Sequence, residues 1–107
     1  MCSPDRWSIL KYKTGELAIL AGWNGPYVEP DEWRRSSPIT KVKENKDNLE
    51  VFTTSSMYVL WNERYGLSRV SGSIWESMKF MMKLDSAPAV TLLTKEEAMK
   101  ELNERFK

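Results

Sequence analysis

Trp33-Arg34-Arg35-Ser36-Ser37-Pro38-Ile39, followed through a polar stretch to Thr53-Thr54-Ser55-Ser56-Met57-Tyr58-Val59-Leu60-Trp61, is the part of the chain whose reading decides the fold. Ile39 to Lys43 reads as a strand. Ile39 and Val42 break its period of two, which predicts a bulge. Glu44 to Asn48 is a polar turn. Leu49 to Thr54 is a second strand, with Leu49, Val51 and Thr53 on one face. After Ser55-Ser56 comes a third, Met57 to Trp61, with Tyr58 and Leu60 on one face and Met57, Val59 and Trp61 on the other. Three short strands joined by tight polar turns make an antiparallel meander.

Upstream, Trp7 to Tyr12 is rich in β-forming residues, and Thr14-Gly15 supplies a turn. Glu16 to Trp23 follows. It is apolar on both faces, with Leu17, Ile19 and Ala21 alternating against Ala18 and Leu20, so it belongs at the centre of a sheet. The two segments predict a hairpin. Gly22 to Pro38 reads as a long break holding Gly25, Pro26, Pro30 and three aromatics, Trp23, Tyr27 and Trp33. It is either a lid of packed aromatics or a binding loop. Asp31-Glu32-Trp33-Arg34 suits one helical turn after Pro30, and the carboxylates of Glu29, Asp31 and Glu32 read as a solvated cluster.

Downstream, Asn62 to Gly72 is a polar connection carrying Arg64 and Arg69. Ser73-Ile74-Trp75-Glu76 has the spacing of a capping box and predicts the start of a helix. Its apolar face is Ile74, Met78, Met81 and Met82, with Trp75 and Phe80 beside it. Pro88 to Leu93 suits an edge strand. Thr94-Lys95-Glu96-Glu97 is a second capping box, and Ala98, Met99, Leu102 and Phe106 give the helix behind it one apolar stripe. Cations in its second half, Lys100, Arg105 and Lys107, suit the helix dipole. The expected fold is α+β: a bent, largely antiparallel sheet of five or six strands with two helices toward the C-terminus, in one domain spanning residues 1–107.

Composition narrows the chemistry. Sixteen basic against 15 acidic residues leave a net charge of +1, so bulk electrostatics do not favour nucleic acid. No histidine is present, which removes Ser-His-Asp triads, Cys-His pairs and His-based zinc sites. The single cysteine, Cys2, forms no internal disulfide, and a reducing, cytoplasmic compartment follows as the expectation. Neither a calcium loop nor a phosphate-binding P-loop motif occurs. No apolar run nears the roughly 18 residues that span a bilayer, and residues 1–7 lack the apolar core of a signal peptide. The expectation is a protein without enzymatic activity, catalytic residues, cofactor or metal.

Three constellations suit anion binding. Trp33, Arg34 and Arg35 with Ser36 offer forked donors beside a stacking ring. The hydroxyls of Thr53, Thr54 and Ser55 can add donors, or can bond their own turn. Pairing of the first two meander strands places residues 35–38 beside 52–55, making one site of both. Arg64 and Arg69, around Tyr65 and Gly66, precede the first helix, whose N-terminus favours negative charge. Five Trp and six Met exceed what one small core absorbs. That surplus predicts a homo-oligomer, with Tyr27, Trp33 and the Met78–Met82 face contributing.

The run Ser36-Ser37-Pro38-Ile39, the polar turn and Val51-Phe52-Thr53-Thr54-Ser55-Ser56-Met57-Tyr58-Val59-Leu60 resembles a module of small phage-encoded accessory proteins, among them the Thoeris anti-defence sponge proteins. The resemblance covers residues 36–60, and none of that family's ligand-binding residues is carried over. It implies a small phage-type binding protein that counters a host defence or regulatory system by sequestering a nucleotide-like anionic ligand. The alternative is a protein–protein inhibitor that meets a host protein through its aromatic and Met surface.

Overall fold

Two antiparallel sheets and two helices make up the computed structural model, which describes residues 3–23, 32–84 and 89–106. The chain is α+β, as its patterning predicts. The first sheet holds β1 (Arg6–Tyr12), β2 (Leu17–Trp23), β3 (Glu32–Arg35) and β7 (Val90–Leu92), in the order β3-β2-β1-β7. The second is the meander β4 (Ile39–Glu44), β5 (Asn48–Thr53) and β6 (Met57–Trp61). A 3₁₀ turn, Asn62–Arg64, leads toward α1 (Arg69–Lys83), and α2 (Lys95–Phe106) closes the described chain. One bent sheet was the expectation; the strands instead divide four and three, because Ser36 to Pro38 turns the chain out of one sheet and into the other.

β1 and β2 form the expected hairpin, in the register Ile9↔Ile19, with Gly15 at φ 98° in the turn. Glycine adopts that left-handed backbone without a Cβ clash. β2 is buried from Leu17 to Gly22 and lies between β3 and β1. Its two faces serve two cores. Ile9, Leu17, Ile19 and Ala21 meet Leu49, Val51, Tyr58 and Leu60 of the meander and Ala98 and Leu102 of α2. On the other face Leu10, Leu20 and Val90 receive Trp75, Met78 and Met82 of α1. The layers therefore run α1, four-stranded sheet, then meander with α2. The predicted bulge falls between Ile39 and Lys41. β7 is an edge strand, as expected.

Two local expectations change. Glu32 to Arg35 is not a helical turn: it extends as β3 along β2, where the ladder supplies hydrogen-bond partners that an isolated turn lacks. Within the central break, residues 24–31, with Tyr27, Glu29 and Asp31, fall outside the described residues, as does Cys2. The first helix starts at Arg69, not Ser73. Ser68 is its N-cap: Ser68 Oγ accepts from Ser71 N at 3.1 Å and Ser71 Oγ accepts from Ser68 N at 2.7 Å. Ser73 instead donates to the Arg69 carbonyl at 3.2 Å. With this start, Met78 and Met82 turn inward while Met81 is 42% exposed. The second capping box forms as read, Thr94 N to Glu97 Oε1 at 2.9 Å and Glu97 N to Thr94 Oγ1 at 3.2 Å.

Candidate functional site: an arginine rim at the start of the first helix

Directly opposed residues of an antiparallel pair project to the same face of a sheet. Arg6 opposes Gly22 across β1–β2, and Gly22 opposes Trp33 across β2–β3. The three form one row on the face that α1 covers. Gly22 is the reason the helix starts there. A Cβ at position 22 would lie 2.1 Å from Ser68 Oγ and 2.7 Å from Ser68 Cβ, so only glycine lets the N-cap sit on the strand. The next row is Ser8, Leu20 and Arg35. Trp33 and Arg35 therefore flank the start of α1, whose first residue is the exposed Arg69.

Arg34, one residue out of phase, belongs to the opposite face. Its guanidinium carbon sits 6.0 Å from the centre of the Trp23 ring, a cation–π distance. The alternation of β3 thus separates the adjacent arginines, which do not act as one fork.

The hydroxyl row closes the corner between the sheets. The pairing predicts residues 35–38 beside 52–55; the structure sets 36–38 beside 53–56, with Thr54 N donating to the Pro38 carbonyl at 3.2 Å and Ile39 paired with Thr53, while Arg35 pairs with Leu20 in the other sheet. Ser37 Oγ accepts from Ser55 N at 3.2 Å and lies 2.9 Å from Ser55 Oγ. Thr53 Oγ1 accepts from Ser56 N at 3.0 Å and donates to its carbonyl at 3.1 Å. Ser36 Oγ accepts from Ile19 N at 2.8 Å and donates to the Ser37 carbonyl at 2.7 Å. These bonds hold the turn and the sheet-to-sheet passage.

Arg64 stands in the 3₁₀ turn with Nη1 3.6 Å from Asp5 Oδ1. Both line an open cleft of about 700 Å³ together with Arg6, Trp61 and Glu63. Arg6 belongs to this cleft and to the Gly22–Trp33 row alike, so it joins the two groups of arginines. Arg6 is not among the residues that sequence motifs single out. Its signal was present: it keeps the period of Ser8 and Leu10, and therefore shares their face. A second cleft, about 680 Å³, lies between β7 and α2 and mixes Lys11, Lys13 and Lys100 with Glu97, Glu101 and Glu104.

The perturbed acids lie away from the rim. The Thr94 backbone and side chain hold Glu97 below the ordinary carboxylate range, and Lys11, 2.8 Å from Glu101, does the same there. Burial pushes Tyr65 up to about 12; its hydroxyl donates to the Leu93 carbonyl at 2.6 Å and accepts from Ile9 N at 3.1 Å. Among the described residues no group of three or more Cys, Asp or Glu side chains is placed to hold a metal ion, and no helix is long and apolar enough to cross a membrane. The fold and rim define a small α+β protein with a basic, aromatic corner. Comparison with protein-family models, curated proteins and solved structures finds no match.

Proposed function

We propose that this chain is a non-enzymatic binding protein for a small phosphate-bearing, nucleotide-like ligand held at the arginine rim. The observation that carries the reading is the row Arg6–Gly22–Trp33 beneath Ser68. It sets Arg6 and Arg35 on the sheet face that carries the exposed Trp33, and Arg69 opens the helix seated on that face, at the positive end of its dipole. Guanidinium groups match phosphate oxygens, and the indole offers a face on which a base stacks. The resemblance to phage-encoded sponge proteins gives this binding its setting: sequestration of a nucleotide signal in the host cytoplasm, to the detriment of a host defence or regulatory system.

Calorimetry with a panel of cyclic and linear nucleotides tests it. Binding is expected to weaken as salt rises, and Arg35→Ala and Arg69→Ala are each expected to reduce affinity by about tenfold or more, the value of a charge-assisted bond. Absence of heat with every nucleotide, or affinity unchanged in both variants, refutes the reading.

The second reading, a protein–protein inhibitor, is favoured by one observation. The outer face of the meander carries Phe52, Met57, Val59 and Trp61, none of which joins either core cluster, and Trp61 is 38% exposed. A salt-insensitive complex with one host protein would select it over the first.

A further inference from the structure

We infer that α1 pairs with α1 of a second copy of this chain, antiparallel, about a two-fold axis near residues 78 and 79. Trp75, Met78 and Met82 turn one side of the helix into the core, so the opposite side faces solvent. There Ser73, Ser77, Phe80 and Leu84 recur at intervals of four, three and four, the spacing of a coiled-coil seam. All four are exposed, Phe80 by 62% and Leu84 by 58%. Met81, 42% exposed, flanks them.

Antiparallel pairing about that axis sets Ser77 against Phe80 of the other copy, and Ser73 against Leu84. Each large side chain meets a small one, which is what close packing of two helices needs. The flanks decide the direction. Glu76 and Lys83 are seven residues apart and share one flank; Ile74 and Met81 share the other. In an antiparallel pair each flank meets its own kind, so Glu76 faces Lys83 of the second copy, twice over by symmetry, and Ile74 faces Met81. In a parallel pair the charged flank would meet the apolar one, and no ion pair would form. Glu76 already holds Lys79 at 2.8 Å on the same surface, and its 70% exposed carboxylate has room for another cation.

Phe80, Met81 and Leu84 offer on the order of 300 Å² of apolar surface per copy. Together with the polar flanks this falls in the range of small, transient interfaces, so the pairing is expected to depend on concentration.

Sedimentation equilibrium across a dilution series tests the pairing. The expected result is a monomer–dimer equilibrium that Phe80→Glu weakens at least tenfold, with an unchanged thermal melt showing that the variant folds. Glu76→Lys and Lys83→Glu are each expected to weaken self-association severalfold. Mixing those two variants, or combining both substitutions in one chain, is expected to restore it. A monomer at several hundred micromolar overturns the inference, as does self-association that ignores Phe80→Glu. Weakening by the single charge variants without recovery on mixing overturns the antiparallel geometry.

Discussion

Gly22→Ala separates a glycine required by close approach from one that merely occupies a strand. The new methyl would lie 2.1 Å from Ser68 Oγ and 2.7 Å from Ser68 Cβ. A rotation of the serine side chain relieves the first contact and not the second, so the start of α1 must lift from β2. Overpacking of this kind costs about 1–3 kcal/mol. Ser68 is also the N-cap, and disturbing its bond to Ser71 N adds about 1 kcal/mol. Against this, replacing glycine within a strand gains about 0.5–1 kcal/mol. The net expectation is a loss of about 1–3 kcal/mol, or a melting temperature lower by roughly 5–15 °C. Gly72→Ala is the control. Its added methyl meets only Leu67 Cβ at 3.8 Å, ordinary contact, so alanine there is expected to stabilise by about 0.4–1 kcal/mol. Ser68→Gly in the Gly22→Ala background removes the two closest atoms, leaving only Ser71 Oγ at 3.1 Å, at a capping cost of a few tenths of a kcal/mol, and is expected to recover most of the loss. Urea denaturation of the four proteins reads all terms. A neutral Gly22→Ala, or a double variant no better than the single one, refutes the account of how the helix is seated.

Stability is expected to fall in acid. Glu97 and Glu101 are held below the ordinary value of 4.5, so their stabilisation is complete above that value and is lost as pH drops through their folded values; Glu97→Gln with Glu101→Gln should flatten the acid limb of a stability–pH curve. At alkaline pH the sign reverses. Tyr65 is raised from 10.0 to about 12, so its contribution is full below 10 and is lost as pH rises through 12; Tyr65→Phe should remove that alkaline step, and costs about 1–3 kcal/mol at neutral pH by leaving the Leu93 carbonyl and Ile9 N–H without it, measured by denaturant titration. Removing Arg34 is expected to affect nucleotide affinity less than removing Arg35, because Arg34 lies over Trp23 on the other face; paired alanine variants measured by calorimetry check this, and equal losses would contradict the register argument.

Much of the fold was legible where a strand or helix is specified by its own burial. Leu49, Val51 and Thr53 alternate because one face of β5 is buried and the other is not. β2 is apolar throughout because both of its faces are covered. Thr94 and Glu97 announce α2 because the capping bonds are local. What escaped depends on partners distant in sequence. β3 has no apolar alternation of its own; Glu32 to Arg35 is extended because β2 offers it a ladder. The division into two sheets depends on which strands pair, which alternation alone does not encode. The start of α1 escaped for a chemical reason. A serine at the third helical position serves in place of the usual glutamate, since Ser71 Oγ reaches the Ser68 N–H at 2.7 Å.

The same distinction governs the candidate site. Reading along the chain groups Arg34 with Arg35 and groups the hydroxyls of 53–56 with both, because they are neighbours in sequence or across one turn. Reading across the sheet groups Arg35 with Trp33, Trp33 with Gly22 and Gly22 with Arg6, because a strand repeats every two residues and its ladder aligns side chains from segments far apart. The hydroxyls then have an architectural task, fastening residues 36–38 to 53–56 where the chain changes sheets. In the proposed site the arginines of the rim are the groups that take the anion. Substituting Ser37 or Ser55 should therefore lower stability before it alters affinity, whereas Arg6→Ala should do the reverse. Arg6 is exposed, and removing it leaves the Arg64–Asp5 pair in place. Denaturant titration and calorimetry on the same three variants decide between the two groupings. If Ser55→Ala costs affinity at unchanged stability while Arg6→Ala costs none, the site follows the chain and not the sheet.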